Sequence, residues 1–400
     1  MTFPAFSSGI LPEGSSSTAV WKTRYSQFAP RAGVAYRLSR DGTLVIRSGA
    51  GIFYDVGFSA IADTLNGTPF NRWIVGLGAP SPSEAGSPVG YGYASDLKLP
   101  WSAHWNVTLE RILSRDTVLS TAYVGSRGRR LLRLQTTMSN ESNISRTVIA
   151  GNQGSSDYHS LQIQARRSLA RGLRGFAAYT WGHSIDNGSW NSATFLLYPG
   201  ASDRGSSDFD VRHAFHAGLV YDLASRRIPT WARGWSVSGV IRARSGFPVD
   251  VLSSENPFGL SYDNQRPDLR SGVPIWTDDN SAPGGRRLNA QAFTQAESGR
   301  QGSLGRNAIR GFGLTQVDLS IQRRFAIGER ASTEIRIEAY NVVNQAFFAD
   351  PARFLTNPLF GQSLSHTNLL LGTGRAHSGL TPTLQSGGPR TVQFRVDFRF

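Results

Sequence analysis

Two histidines of this chain stand at a spacing that could serve metal chemistry. His213 and His216 form an HxxH pair, and on a helix such side chains could share a face and chelate one ion. The residues around them alternate between apolar and polar, which indicates a strand, where positions three apart point to opposite faces. We therefore predict no shared metal ion and read the other histidines as isolated polar residues.

Two acidic clusters carry the oxygen ligands that Ca²⁺ prefers. They are Asp278 with Asp279 and Asn280, and Asp263 with Asn264 and Asp268. Neither follows the spacing of a defined calcium-binding loop, and Asp and Asn are also common turn residues. We expect turns at both places, and neither a metal nor another cofactor in the chain.

Motifs for enzyme catalysis are missing from the sequence. The chain has no Cys, which removes thiol catalysis, thiolate metal sites and disulfides together, and it contains neither GxSxG nor HExxH. Gly372, Gly374 and Gly379 resemble a phosphate loop only in part, because the third glycine comes too late for GxGxxG. Since no nucleophile, base and orienting group can be assembled, we predict that the protein is not an enzyme.

Positive charge is abundant, but it comes from scattered arginines. The formal net charge is +14, and Lys22 and Lys98 are the only lysines. A nucleic-acid binder would be expected to mix lysine and arginine in clusters, so we expect no nucleic-acid partner. The basic run SRGRRLLR at 126–133 is either a solvated charge run or, at the outer end of a membrane strand, a contact for lipopolysaccharide phosphates.

The elements that would position these residues are strands with one apolar and one polar face. Alternating runs predict about eleven strands. The residues between the apolar ones are mostly Asn, Thr, Gln, Ser, Glu and Arg, which a sealed core cannot hold but a water-filled lumen can. No run approaches the ~18 apolar residues of a transmembrane helix, whereas a barrel strand needs only about 9 to 11 residues. The clearest runs are 101–113, 157–169, 209–223, 234–250, 312–326 and 331–346.

The connections between these strands alternate in length. Short turns are predicted at 39–42, 114–116, 170–172 and 328–330, with a longer one near 224–233. Long polar loops are predicted at 56–100, 127–156, 186–208, 251–311 and 347–389. Short periplasmic turns and long extracellular loops are typical of outer-membrane barrels. The predicted fold class is therefore all-β, an antiparallel transmembrane β-barrel in the outer membrane of a Gram-negative bacterium.

Aromatic residues near the strand ends fit the same prediction. Interfacial girdles of Trp and Tyr flank the apolar band of such barrels, although Trp and Tyr also favour strands in general. The candidates are Trp101, Trp105, Tyr123, Tyr179, Trp181, Tyr221, Trp231 and Trp235.

The chain ends on an amphipathic strand that closes in an aromatic ring. Outer-membrane barrels end this way, because the barrel assembly machinery reads such a terminal strand. With the short turns on the periplasmic side, this strand runs inward and its last residue lies at the periplasmic rim. We predict a barrel assembly signal formed by Val392, Phe394, Val396, Phe398 and Phe400.

Longer strings resemble a known family. They include FAPRAGVAYRLSRDGTLVIRSGAGIFYD at 28–55, SDFDVRHAFHAGLVYDL at 207–223 and the segment from GRNAIRGF to NQAFF at 305–348. In content and order they resemble the C-terminal barrel region of TonB-dependent receptors of the Oar-like type, over nearly all of the chain. The resemblance implies a plugged barrel of about 22 strands that imports a scarce ligand with energy passed through TonB.

Against that family, the chain is expected to hold the C-terminal half of the barrel. An open sheet would leave bare edges in lipid, and bacterial barrels usually have even strand numbers. We assign 1–26 to the end of an extracellular loop and 27–400 to the half barrel, and we identify no plug domain and no signal peptide. The expected partners are outer-membrane lipid, lipopolysaccharide and the barrel assembly machinery, with TonB only through the missing N-terminal part.

Three functions remain open from the sequence. The first is energy-coupled uptake of an unidentified ligand, with recognition spread over the long outer loops. The second is an outer-membrane structural or adhesion protein of Oar-like type without active transport. The third is a soluble β-rich protein that binds glycans.

Overall fold

Eleven long strands form one antiparallel sheet in the computed structural model, which describes residues 3–4, 17–18, 25, 27–55, 89–94, 97–138, 146–170, 172–189, 194–196, 203–223, 234–253, 265–297, 299–328, 330–365 and 389–400. We number them β1 to β11 in chain order. They are β1 Arg31–Arg37, β2 Leu44–Tyr54, β3 Trp101–Ser114, β4 Thr117–Met138, β5 Arg146–Ala170, β6 Leu173–Asp186, β7 His213–Asp222, β8 Trp235–Arg244, β9 Leu314–Ile327, β10 Ala331–Tyr340 and β11 Thr391–Arg399.

The sheet is a meander in which each strand pairs with the next one along the chain. Tight turns join β3 to β4, β5 to β6 and β9 to β10 with two or three residues, at the predicted places. The β1–β2 turn is also where the sequence predicts it, whereas 224–233 lies outside the described residues. The all-β, antiparallel part of the prediction is therefore confirmed.

Other short elements occur among the described residues. Val89–Tyr93 and Thr194–Leu196 pair in parallel with the outer ends of β5 and β4, and Gly205–Ser206 pairs antiparallel with β6. The remaining short pairs are Phe3–Pro4 with Ser17–Thr18, Pro248–Val249 with Ile309–Arg310, Asp268–Leu269 with Phe293–Thr294, and Trp276–Asp278 with Arg286–Leu288, beside a 3-10 turn at Ala290–Ala292.

The prediction of a loop at 127–156 was wrong. β4 and β5 are 22 and 25 residues long, and their hairpin continues through most of that segment. Here the sequence lacks a clean alternation of apolar and polar residues. Strand pairing satisfies the backbone without it, because both faces of a hairpin beyond the membrane can be polar.

One face of the sheet is apolar and the other is polar, as the alternation predicts. On β9, Leu319 and Ile321 are exposed on the apolar face, opposite Gly239 and Val237 of β8. Each intervening residue, such as Ser320, points to the polar face. The apolar rows are therefore turned outward from the sheet and do not meet in a sealed centre.

Aromatic side chains mark two levels on the apolar face. At the outer level, Trp181 lies in the same row of paired residues as Tyr123 and His213, and Trp105 lies one row further out. At the inner level, Tyr221 and Trp235 stand near the opposite end of the strands. From His213 to Leu223 are ten residue steps, which span roughly 34 Å along a strand and about 25 Å across a bilayer at the usual tilt. That is the height of the apolar band in outer-membrane barrels. Trp101 lies above this band, and Trp231 is outside the described residues.

The strands β1 and β11 form the two edges of the sheet, and no pairing joins them among the described residues. The described part of the chain contains no helix with the length and apolar character that a bilayer crossing requires.

Candidate functional site

The two long connections β8–β9 and β10–β11 fold together at the end of the sheet opposite the tight turns. Together with the end of the β6–β7 connection they form a unit that we call the loop assembly, made of the described residues 203–212, 245–253, 265–297, 299–312 and 341–365. Phe293 and Phe360 come from different connections and meet edge to face, with ring centroids 5.7 Å apart. The sequence predicts only polar loops here, so this packed unit is a correction. Its buried apolar core consists of Val249, Val251, Leu288, Ala292, Phe293, Leu304, Ile309 and Phe360.

Backbone contacts join the two connections side by side. The Leu288 N–H donates to the Gly361 carbonyl at 3.0 Å, and the Leu252 N–H donates to the Arg353 carbonyl at 3.0 Å. Gly361 has a φ of +80°, and a Cβ on it would lie 2.5 Å from the Leu288 carbonyl oxygen. Only glycine fits this junction without strain.

Arg306 fastens the loop assembly to the sheet. Its side chain is 2% exposed. Its Nη1 donates to a carboxylate oxygen of Asp186 at 2.7 Å, and its Nη2 donates to Asp208 at 2.9 Å and to the Ser189 hydroxyl at 2.9 Å. Because Asp186 ends β6 and Asp208 follows it in the β6–β7 connection, this guanidinium ties the β8–β9 connection to its neighbours in the sheet.

Two further arginines of the loop assembly repeat this arrangement. The buried Arg266 donates from both terminal nitrogens to one oxygen of Asp203 at 3.2 Å. Arg310 forms an ion pair with Asp210, whose other oxygen accepts the backbone N–H of Ser184 at 2.6 Å. Charge-assisted hydrogen bonds of this kind are stronger than neutral ones and fix geometry.

We expect Arg306→Ala to loosen the loop assembly strongly, because removing one partner of a buried ion pair leaves charged groups without compensation. We expect the free energy of local opening to fall by about 3–5 kcal/mol. Hydrogen exchange of peptides from 265–311, in the full-length protein in detergent, measures it. Arg300→Ala is the matched control, since its pair with Asp268 is exposed to solvent and should contribute little. Equal exchange in both variants would contradict a stabilising role of the buried Arg306 ion pairs.

Two other carboxyl groups of the loop assembly, those of Asp250 and Asp350, have raised pKa values. Burial raises the pKa of Asp250, and the nearby Arg266 and Arg306 offset only part of this effect. Burial likewise raises the pKa of Asp350 to about 6, against the opposing effect of Arg244 and Arg353. The assembly thus contains, besides the aspartates paired with arginines, two buried carboxyl groups that keep their protons to higher pH.

The polar face of β8 to β11 carries rows of alternating charge. Glu334 accepts hydrogen bonds from Arg324 at 3.3 Å and from Arg336 at 2.9 Å. On the neighbouring strands, Arg242 stands 4.0 Å from Asp318. Such a surface requires water or another polar body beside it.

The sequence-predicted metal candidates are engaged in other ways. His213 contacts the Tyr179 hydroxyl at 2.8 Å through Nδ1, and His216 is on the opposite face. Asp279 accepts the Ser281 backbone N–H at 3.0 Å and pairs with Arg287, and Asp268 pairs with Arg300, which are turn and surface roles. No cluster of three or more His, Cys, Asp and Glu that could hold a metal occurs within the described ranges. Asp263, Asn264, Gly372, Gly374 and Gly379 lie outside them.

The basic run at 126–133 is divided by the structure. Arg127 and Arg129 donate to Asp157 on the apolar-parity side of β4 and β5, beyond the upper aromatic level. Arg133 is buried and pairs with Asp203 instead. A change of register between Arg129 and Arg133 separates the two groups.

The predicted assembly signal lies on the edge strand β11. All five residues are exposed on the apolar side and continue the outward rows of β10. Nothing in the geometry tests whether the assembly machinery reads them, so the signal stays a prediction.

Sequence reasoning missed the ion pairs of the loop assembly, which we call the aspartate–arginine clamp: Arg306 with Asp186 and Asp208, Arg266 with Asp203, and Arg310 with Asp210. Its partners are between 63 and 120 residues apart along the chain, which no local pattern can connect. The available signal was the close spacing of like charges, Asp208 with Asp210 and Arg306 with Arg310, in strings already noted for their resemblance.

Comparisons with known proteins agree with this geometry. A family model described as an outer membrane beta barrel domain matches residues 3–370. Among solved structures, the outer membrane transporter YddB from Escherichia coli superimposes with a TM-score of 0.51 at 12% identity, covering 93% of this chain and 40% of YddB. No curated protein sequence matches the chain.

Two further solved structures show weaker likeness. The ferric-catecholate import receptor Fiu from E. coli K12 has a TM-score of 0.45 at 12% identity, covering 100% of this chain and 40% of Fiu. The ferripyoverdine receptor of the Pseudomonas aeruginosa outer membrane has a TM-score of 0.47 at 11% identity, covering 98% and 34%. The chain therefore spans about two fifths or less of the length of these transporters and receptors.

Proposed function

Because this chain belongs to the outer membrane beta barrel domain family and lies in the outer membrane, we propose that it is part of the wall and outer binding surface of a TonB-dependent transporter. The transported ligand is unidentified, and no catalytic role is assigned. The Oar-like subtype is part of this proposal. A soluble glycan-binding protein does not agree with membership in this outer-membrane family. The exposed apolar face of the sheet also suits lipid and not water.

One observation carries the proposal. The loop assembly is a packed unit, held by the buried Arg266 and Arg306, above a wall whose inner face is polar and charged. A binding surface that must recognise a ligand and pass it inward needs loops of defined shape next to a polar passage. Loops without a core would supply neither.

We place residues 27–400 in the C-terminal half of a larger barrel, with 1–26 ending an outer loop. Two features support this placement: β1 and β11 are edges in the described sheet, and the chain covers 40% of YddB. Edges are costly in lipid, because unpaired N–H and C=O groups have no water to bond. In this proposal further strands close the wall, a plug fills it and contacts TonB, and the barrel assembly machinery inserts it.

Binding of TonB distinguishes transport from adhesion. The full-length protein, purified in detergent, is immobilised and exposed to the isolated periplasmic domain of TonB from the same organism. Transport predicts saturable binding that Arg306→Ala leaves unchanged, since the loop assembly lies at the opposite end of the wall from the periplasmic turns. Absence of binding by correctly folded protein would overturn the proposal in favour of a structural or adhesion role.

A further inference from the structure

We propose that Arg127, Arg129 and Arg204, gathered around Asp157, form a binding site for the phosphate groups of lipid A, the membrane anchor of lipopolysaccharide. Asp157 accepts hydrogen bonds from Arg127 at 2.9 Å, from Arg129 at 3.0 Å and from Arg204 at 2.5 Å. The inference rests on the outer-membrane location of the chain and is independent of the transported ligand.

The cluster faces the side on which lipid lies. Arg127 and Asp157 occupy the same row as Ala103, and all three have the parity of the apolar face. Arg204 has the parity of Ser206, which pairs with Ile185 on that same face. The guanidinium groups therefore stand on the outer surface of the wall and not in its lumen.

The height of the arginine cluster along the wall matches that of the lipid headgroups. Asp157 is four residues further out along β5 than Leu161, which is level with Trp181 and Tyr123. Four residue steps correspond to roughly 14 Å along a strand and about 10 Å in height at the usual tilt. The ring of Trp105 lies 6.0 Å from the ring of His159 in the row between, so the aromatic level and the arginines are contiguous.

Positive groups outnumber the negative one within the cluster. Three guanidinium groups surround the Asp157 carboxylate. The side chains of Arg127, Arg129 and Arg204 are 54%, 33% and 43% exposed, whereas Asp157 is 11% exposed beneath them. The carboxylate thus orients the arginines while their charge faces outward, unlike Arg266 and Arg306 of the loop assembly, whose side chains are 2% exposed.

Phosphate is the ligand that this arrangement suits. A guanidinium group presents coplanar N–H donors that match the oxygens of a phosphate. Guanidinium groups that are already fixed in position lose little conformational entropy when they bind a ligand. Arg133 is excluded from the site because it is buried against Asp203, although it belongs to the same basic run.

Lipid binding to the full-length protein tests the site. The triple variant Arg127→Gln, Arg129→Gln, Arg204→Gln and the single variant Arg127→Gln are compared with the natural protein in detergent. Native mass spectrometry counts bound bisphosphorylated lipid A, monophosphorylated lipid A and phosphatidylglycerol, and inorganic phosphate serves as competitor. Heat-modifiable migration on a gel establishes that each variant is folded.

The expected result is at least about tenfold weaker binding of bisphosphorylated lipid A by the triple variant, since each lost charge-assisted hydrogen bond is substantial. The single variant, which leaves two arginines on Asp157, should show a smaller loss. Arg300→Gln, an exposed arginine of the loop assembly, is the control and should bind normally. Unchanged binding by folded triple and single variants overturns the site. Equal binding of phosphatidylglycerol, or displacement by inorganic phosphate, overturns its assignment to lipid A.

Discussion

Phe400→Asp is expected to abolish assembly of the full-length protein into the outer membrane. Phe400 is fully exposed at the end of edge strand β11, and Phe398, two residues before it, is exposed on the same side. The substitution would place a carboxylate at the lipid-facing rim, where an ion is costly, and would remove the terminal ring of the predicted assembly signal. Cell fractionation with heat-modifiable gel migration measures the inserted fraction.

Arg399→Gln is the matched control for this prediction. Arg399 is the neighbouring residue on the polar face, and its side chain is 60% exposed and stands 3.9 Å from Glu334. Glu334 would keep its closer hydrogen bonds from Arg324 and Arg336. Its loss should leave insertion near normal. Normal insertion of Phe400→Asp would show that the last position is not part of an assembly signal.

Leu319→Arg is expected to impair membrane insertion severely. Leu319 is exposed on the apolar face of β9, between the two aromatic levels, with Gly239 and Ala339 beside it. Arginine at such a position costs about 2–4 kcal/mol near the bilayer midplane, and no acidic side chain shares its row in β8 or β10. Unfolding of the reconstituted full-length protein in denaturant measures the difference in stability.

Ser320→Arg is the control for Leu319→Arg, because it has the same depth and the opposite face. Ser320 stands between Ser238 and Glu338, so an arginine there would gain an acidic neighbour. We expect a small effect. If the two variants were equally destabilised, the assignment of the faces would be incorrect.

The sequence alone determined the wall of this protein. Alternation has a period of two residues and turn residues act locally, so the strand number, the apolar face and the tight turns at 114–116, 170–172 and 328–330 could be read without coordinates. The strings at 28–55, 207–223 and 305–348 likewise carried the resemblance to an outer-membrane barrel, and the family match confirmed it.

Only the tertiary structure decided what stands at the outer end of that wall. The loop assembly depends on contacts such as Arg306 with Asp186, 120 residues apart, and on the junction of Leu288 with Gly361. The change of register after Arg129 likewise sends Arg133 into the interior while Arg127 and Arg129 stay at the surface. Periodicity records which way a side chain points from its own strand, whereas the partner it meets depends on where distant segments are brought by folding.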